Sequence, residues 1–194
     1  MRNLAFFCVG LLLILLQANA YRVIGPMEEV VYETIGPWLG WLPSGWTHGM
    51  SPNLMLPLVI FLGVHEPSMA RGALLAFGFG YALDILAAAP MWLFTFVFVA
   101  LWWLARVASI RIMAQTTLTR IPLVFVFAII EGGMVLTLLA VFGSDNRRPL
   151  EIATVVVPRA IMTALVSPPI FRLAQRLNPP AIPAAPGAAQ ATTA

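Results

Sequence analysis

The sequence has no lysine, one cysteine, two histidines and only 10% charged residues among 194. Each shortage excludes something. All eleven basic residues are arginines, placed singly or in pairs. No basic stripe with interleaved aromatics exists to track a phosphate backbone, so nucleic acid is not an expected partner. Cys8 stands alone, which excludes an intramolecular disulfide and a cysteine-based metal cluster. His48 and His65 do not form an H-E-x-x-H zinc helix, and G-x-S-x-G and Walker A sequences are missing too. Without a nucleophile–base pair, no enzyme activity is expected, and no cofactor or metal is implied.

Apolar side chains are what the sequence has in excess, at 60% of residues. Soluble domains run near about 45–50% apolar and about 25% charged. A chain of this size cannot hide so much apolar surface in one aqueous core. Divided into spans of about 20 residues, it suffices for about six helices. The expected fold is an all-α integral membrane protein, with about six transmembrane helices in one bundle over residues 1–177.

The expected spans are 4–20, 52–64, 69–88, 90–107, 121–142 and 150–173. The first follows a short basic start and ends in Ala18-Asn19-Ala20, so it reads either as a cleavable signal peptide or as a retained helix. Residues 21–51 are rich in Gly, Pro and Trp, which argues against a span. They read as an outer loop lying on the bilayer, or as a docking surface for another membrane protein. Pro57 predicts a kink in the second span. Residues 178–194 are rich in proline and alanine and carry no charge, the composition of a disordered tail. With six spans and a cytoplasmic start, Arg2, Arg71, Arg106, Arg111, Arg120, Arg172 and Arg176 fall inside, and Arg22, Arg147 and Arg148 outside. That bias places both termini in the cytoplasm.

Three ionisable residues remain at membrane depth: Asp84, Glu131 and Arg159. At about 1.5 Å of rise per residue, they lie about 21, 15 and 16–17 Å from the cytoplasmic side. Charges there are costly and are paired or functional. Arg159 is expected to pair with Glu131 or Asp84 and lock the bundle. The other readings are an interface with a partner helix and a transport site. Gly72, Ala76, Gly80 and Asp84 recur every four residues and form one small-residue stripe suited to close helix packing. Gly132 and Gly133 offer a second such place. Pro158, Pro168 and Pro169 free carbonyls in the last span that neighbouring helices are expected to satisfy.

The run from Arg71 to Asp84 resembles the rod shape-determining protein MreD family. That family carries a G-x4-F-x2-G-x3-D pattern, here Gly72, Phe77, Gly80 and Asp84, followed by Pro90. Pro52-Asn53-Leu54, the Leu-rich first helix ending in Gln17, and Ser167-Pro168-Pro169-Ile170-Phe171 are also similar. The chain departs from the family in its long 21–51 segment and at Trp92, where the family often has glycine. The resemblance implies a non-enzymatic inner-membrane scaffold of the bacterial elongation machinery. Its implied partner is the bitopic periplasmic protein MreC, working alongside MreB, RodZ and RodA with its penicillin-binding partner. It implies a bundle similar to the S-components of energy-coupling-factor transporters. The alternative is therefore a substrate-binding component of a vitamin-type transporter. Small-residue faces, including Phe77 and Gly132-Gly133, are the expected partner surface, and the Arg106–Arg120 loop is expected to meet anionic lipid or filament proteins.

Overall fold

The computed structural model describes residues 6–19, 51–87, 90–111, 117–142 and 149–177. The expectations for 21–50, for the tail 178–194 and for part of the Arg106–Arg120 loop lie outside these residues. Among the described residues the chain is all-helical, with α1 Phe6–Asn19, α2 Met55–His65, α3 Met69–Leu86, α4 Leu93–Arg111, α5 Thr117–Phe142 and α6 Pro149–Leu177. Three helices are long and apolar enough to cross a membrane: Met69–Leu86, Ile121–Phe142 and Thr154–Leu177. Helices α1 and α2 are shorter, and the apolar stretch of α4 runs only from Leu93 to Ser109.

Helix α3 pairs with α4 and α5 with α6, while α2 lies among these four and touches each of them. Helix α2 is apolar on every side, the pattern of a helix with no solvent or lipid face. All nine residues from Met55 to Gly63 are buried. Its 11 residues rise only about 16 Å, roughly half of a hydrocarbon core about 30 Å thick. The expected second span is thus a half-length helix at the centre of the bundle. Pro57 belongs to its first turn, where proline removes no intrahelical hydrogen bond and causes no kink.

Helix α1 is built into the same core. Phe6 stacks on Phe61 with ring centroids 6.5 Å apart, and Gly10 meets the Phe79 ring so closely that a Cβ would collide with it. The α2–α3 turn is tied down by charge. Arg71 pairs with Glu66 at 3.1 Å, and Arg106 donates to the carbonyls of Glu66 and Pro67. In α6, Pro168 has no N–H to offer the Ala164 carbonyl, and the Ser167 hydroxyl donates to that carbonyl at 2.7 Å. This freed acceptor is satisfied within α6 itself, not by the neighbouring helix the sequence suggested.

Candidate functional site: a polar cluster at the heart of the bundle

A helix that begins inside an apolar bundle exposes its first backbone N–H groups where no water can reach them. Helix α2 begins in this way. Asn53, two residues ahead of its first residue Met55, meets Glu131, which lies halfway along the apolar run Ile121–Phe142. The Asn53 side chain accepts from Met55 N–H at 3.1 Å through Oδ1. Its Nδ2 donates to Glu131 Oε1 at 2.6 Å. Gln17 of α1 accepts from Leu54 N–H at 3.1 Å. Pro57 brings no N–H, so three of the four orphan positions of the first turn are accounted for. The Asn53 N–H itself donates to the Thr163 hydroxyl of α6 at 2.9 Å, and that hydroxyl donates to the Arg159 carbonyl at 2.7 Å.

Residues from α1, α5 and α6 thus converge on one helix start. Asn53, Glu131 and Thr163 are all buried. A carboxylate near a helix N-terminus also complements the partial positive charge of that end.

Asp84 serves a second helix start. Its carboxylate accepts from Phe94 N–H at 2.8 Å, Thr95 N–H at 3.1 Å and the Thr95 hydroxyl at 2.6 Å. Leu93 N–H goes to the Pro90 carbonyl and Phe96 N–H to that of Trp92. Each of the first four amides of α4 therefore has an acceptor, and two of them are held from α3. Removing the carboxylate by Asp84→Ala is expected to cost about 2 kcal/mol of stability, the upper range for loss of a cap. Asp84→Asn, which keeps one acceptor oxygen, is expected to cost less than half of that. Thermal unfolding of the detergent-purified variants measures both. Equal losses would show that acceptor geometry at α4 is not the cause.

The three intramembrane charges therefore do not lock the bundle as one ion pair. Asp84 is engaged by α4 and does not reach Arg159. Arg159 makes no ion pair within 4 Å among the described residues, and its buried Nε has no hydrogen-bond partner. It lies close enough to act electrostatically on Glu131. The two line a cavity of about 70 Å³ between α5 and α6, together with Gly132, Val156 and Thr163.

The residues expected to form packing or partner faces divide between internal seams and the outer surface. Gly72 lies against the Trp102 indole, and Gly80 against the backbone of Phe94 and Thr95. Ala76, between them, is fully buried. This stripe forms the internal α3–α4 seam, so α4 occupies the surface that the sequence offered to a partner. Gly132 likewise meets Val156 of α6, while Gly133 meets nothing within 4 Å. Phe77 faces outward with Tyr81 and Trp92, their ring centroids 5.8–6.4 Å apart. Trp92 has φ 73°, a left-handed conformation that costs a non-glycine residue about 1–2 kcal/mol. Glycine adopts this conformation without that cost.

Asn53, Gln17 and Thr163 were not singled out as site residues from the sequence. Asn53 ahead of an apolar run is a helix-start signal, but nothing local identifies the partners of its side chain. Comparison with known protein families, with curated proteins and with solved structures finds no match to this chain.

Proposed function

We propose that this chain is a non-enzymatic scaffold of the bacterial inner membrane, of the MreD type, which binds MreC and supports rod shape and lateral peptidoglycan synthesis. In this reading the six helices form one bundle similar to energy-coupling-factor S-components, with both termini cytoplasmic. The observation that carries it is the use made of the G-x4-F-x2-G-x3-D spacing. Gly72, Gly80 and Asp84 all enter one seam. The glycines admit α4 to close approach, and Asp84 caps it. Such a spacing is a device for holding two helices in one register.

The chemistry of the interior favours a scaffold as well. Glu131 and Asp84 are used by helix starts, where they stabilise the bundle. The cavity beside Glu131, at about 70 Å³, is well below the roughly 300–1,000 Å³ of small-molecule sites. Broad apolar faces point outward from α1, α3, α5 and α6, including Leu12, Leu74, Val126 and Leu165.

Purification in mild detergent from the native membrane tests the proposal. The expected result is recovery of a single-pass protein with a periplasmic domain, and rounding of cells on depletion of this chain. Recovery of a transport ATPase with a stoichiometric small ligand would overturn it in favour of the vitamin-type transporter.

A further inference from the structure

Glu131 and Arg159 line opposite walls of the cavity between α5 and α6, and no described residue bridges them. No guanidinium nitrogen comes within 4 Å of the carboxylate. Asn53 holds Oε1 of Glu131, and no described residue donates to Oε2. Thr163, the other polar residue of the wall, is committed to Asn53 and to the Arg159 carbonyl. Nε of Arg159 is sealed inside the protein, so the terminal guanidinium nitrogens are the donors left to serve the cavity. A polar contact longer than a hydrogen bond is completed by water where the site is polar and roomy enough. We propose that this cavity is a hydration site at mid-bilayer depth, in which water bridges the Arg159 guanidinium to Oε2 of Glu131. The assignment rests on the cavity and its two charges, and does not depend on the scaffold reading.

Size and charge select the occupant. The cavity measures about 70 Å³, and a water needs about 10–15 Å³ on that measure, so more than one fits. Organic ligands need roughly 300 Å³ or more. One carboxylate and one guanidinium leave the site without net charge, so neither a cation nor an anion is drawn to it. Water accepts from the guanidinium and donates to the carboxylate at once. The rest of the wall is apolar and includes Val135, Leu136 and Val156. An acyl chain entering there would leave both ionised groups short of hydrogen bonds, a costly state at this depth. The α5 residues of the wall run from Ala128 to Leu136 and centre halfway along the apolar segment Ile121–Phe142. That is about 15 Å from either end, so water at this level is held by the site and is not part of the bulk.

Hydroxyl-radical footprinting of the full-length chain in phospholipid nanodiscs tests this, because radicals formed from bound water by an X-ray pulse oxidise the side chains beside it. Leu136 of the cavity wall and Leu165 on the outer face of α6 make a matched pair. They share one intrinsic reactivity, and lie about 7 Å beyond Glu131 and about 9 Å beyond Arg159 along their helices. Leu136 should oxidise at least about five-fold faster, although Leu165 is 62% exposed. Arg159→Leu removes one of the bridged groups and should bring the Leu136 rate down to that of Leu165. Val135→Phe fills the cavity with both charges in place and should do the same. It decides the matter if Arg159→Leu does not accumulate. Equal rates at the two leucines of the parent would overturn the assignment, the result expected if lipid fills the cavity or the two side chains close into a direct ion pair. So would a Leu136 rate left unchanged in whichever variant accumulates.

Discussion

Replacing Asn53 with alanine is expected to destabilise the protein by about 3–4 kcal/mol and to remove most of the folded chain from the membrane. The substitution withdraws the acceptor for Met55 N–H and the donor to Glu131 together. Hydrogen bonds between helices in a membrane are individually modest, averaging about 0.6 kcal/mol, so their number alone does not account for the loss. The larger share comes from what is left behind. A buried carboxylate loses the Asn53 donor, and a backbone amide is left in an apolar interior; each such orphan costs about 1–3 kcal/mol, more for a charged group.

Three companions separate this account from simple loss of packing. Glu131→Gln keeps an oxygen facing Asn53 and should cost little. Asn53→Asp keeps the acceptor for Met55 but sets a carboxylate against Glu131, and should be at least as damaging as alanine. The double variant Asn53→Ala/Glu131→Leu should be less harmful than the sum of its parts by about 1–2 kcal/mol, the signature of two groups that act as a unit. Thermal unfolding in detergent with fluorescence-detected gel filtration reads all four. If Asn53→Ala unfolds within about 0.5 kcal/mol of the parent, the ordinary range for a surface change, the capping cluster is not what holds α2.

Gly80→Ala is expected to cost about 2–3 kcal/mol, although alanine is the better helix former by about 1 kcal/mol. An added Cβ would stand 2.5 Å from Thr95 Cα and 2.8 Å from the Phe94 carbonyl oxygen. Both are main-chain atoms with no rotamer to change. Helix α4 has to retreat, which draws the Phe94 and Thr95 amides away from Asp84. Gly72→Ala meets the Trp102 indole at 2.5 Å. That ring is a side chain, and its Nε1 has no hydrogen bond to break, so the cost should be smaller. Gly133→Ala meets nothing and should stabilise the purified protein by about 0.5–1 kcal/mol through helix propensity alone. Unfolding midpoints in the order Gly133→Ala, parent, Gly72→Ala, Gly80→Ala are expected. A Gly80→Ala protein as stable as the parent would show that α3 and α4 do not approach closely at that point.

Much of the helical architecture was legible before any coordinates. The apolar runs around 69–88, 121–142 and 150–173 correspond to α3, α5 and α6, because helix length and hydropathy are local quantities. The second run misled. Residues 52–64 are apolar enough for a span, yet the helix is half-length and buried on every side. An apolar run that faces protein carries the same composition as one that faces lipid. The small-residue stripe meets α4 of the same chain, at Gly72 and Gly80, an occupant that no local feature of the sequence identifies.

The amino-acid sequence by itself determined that this is an apolar, helical chain with three ionisable residues inside its long apolar runs. The tertiary structure alone decided what those charges do. Asp84 holds the start of α4, ten residues further on. Glu131 supports the start of α2 through Asn53, 78 positions away, and Thr163 closes the same cluster from a distance of 110. The physical reason is that the cost of a buried charge is set by its residue type and depth, whereas the groups that offset it are chosen by contacts between distant segments. For Arg159 those contacts leave a buried Nε without a hydrogen bond among the described residues.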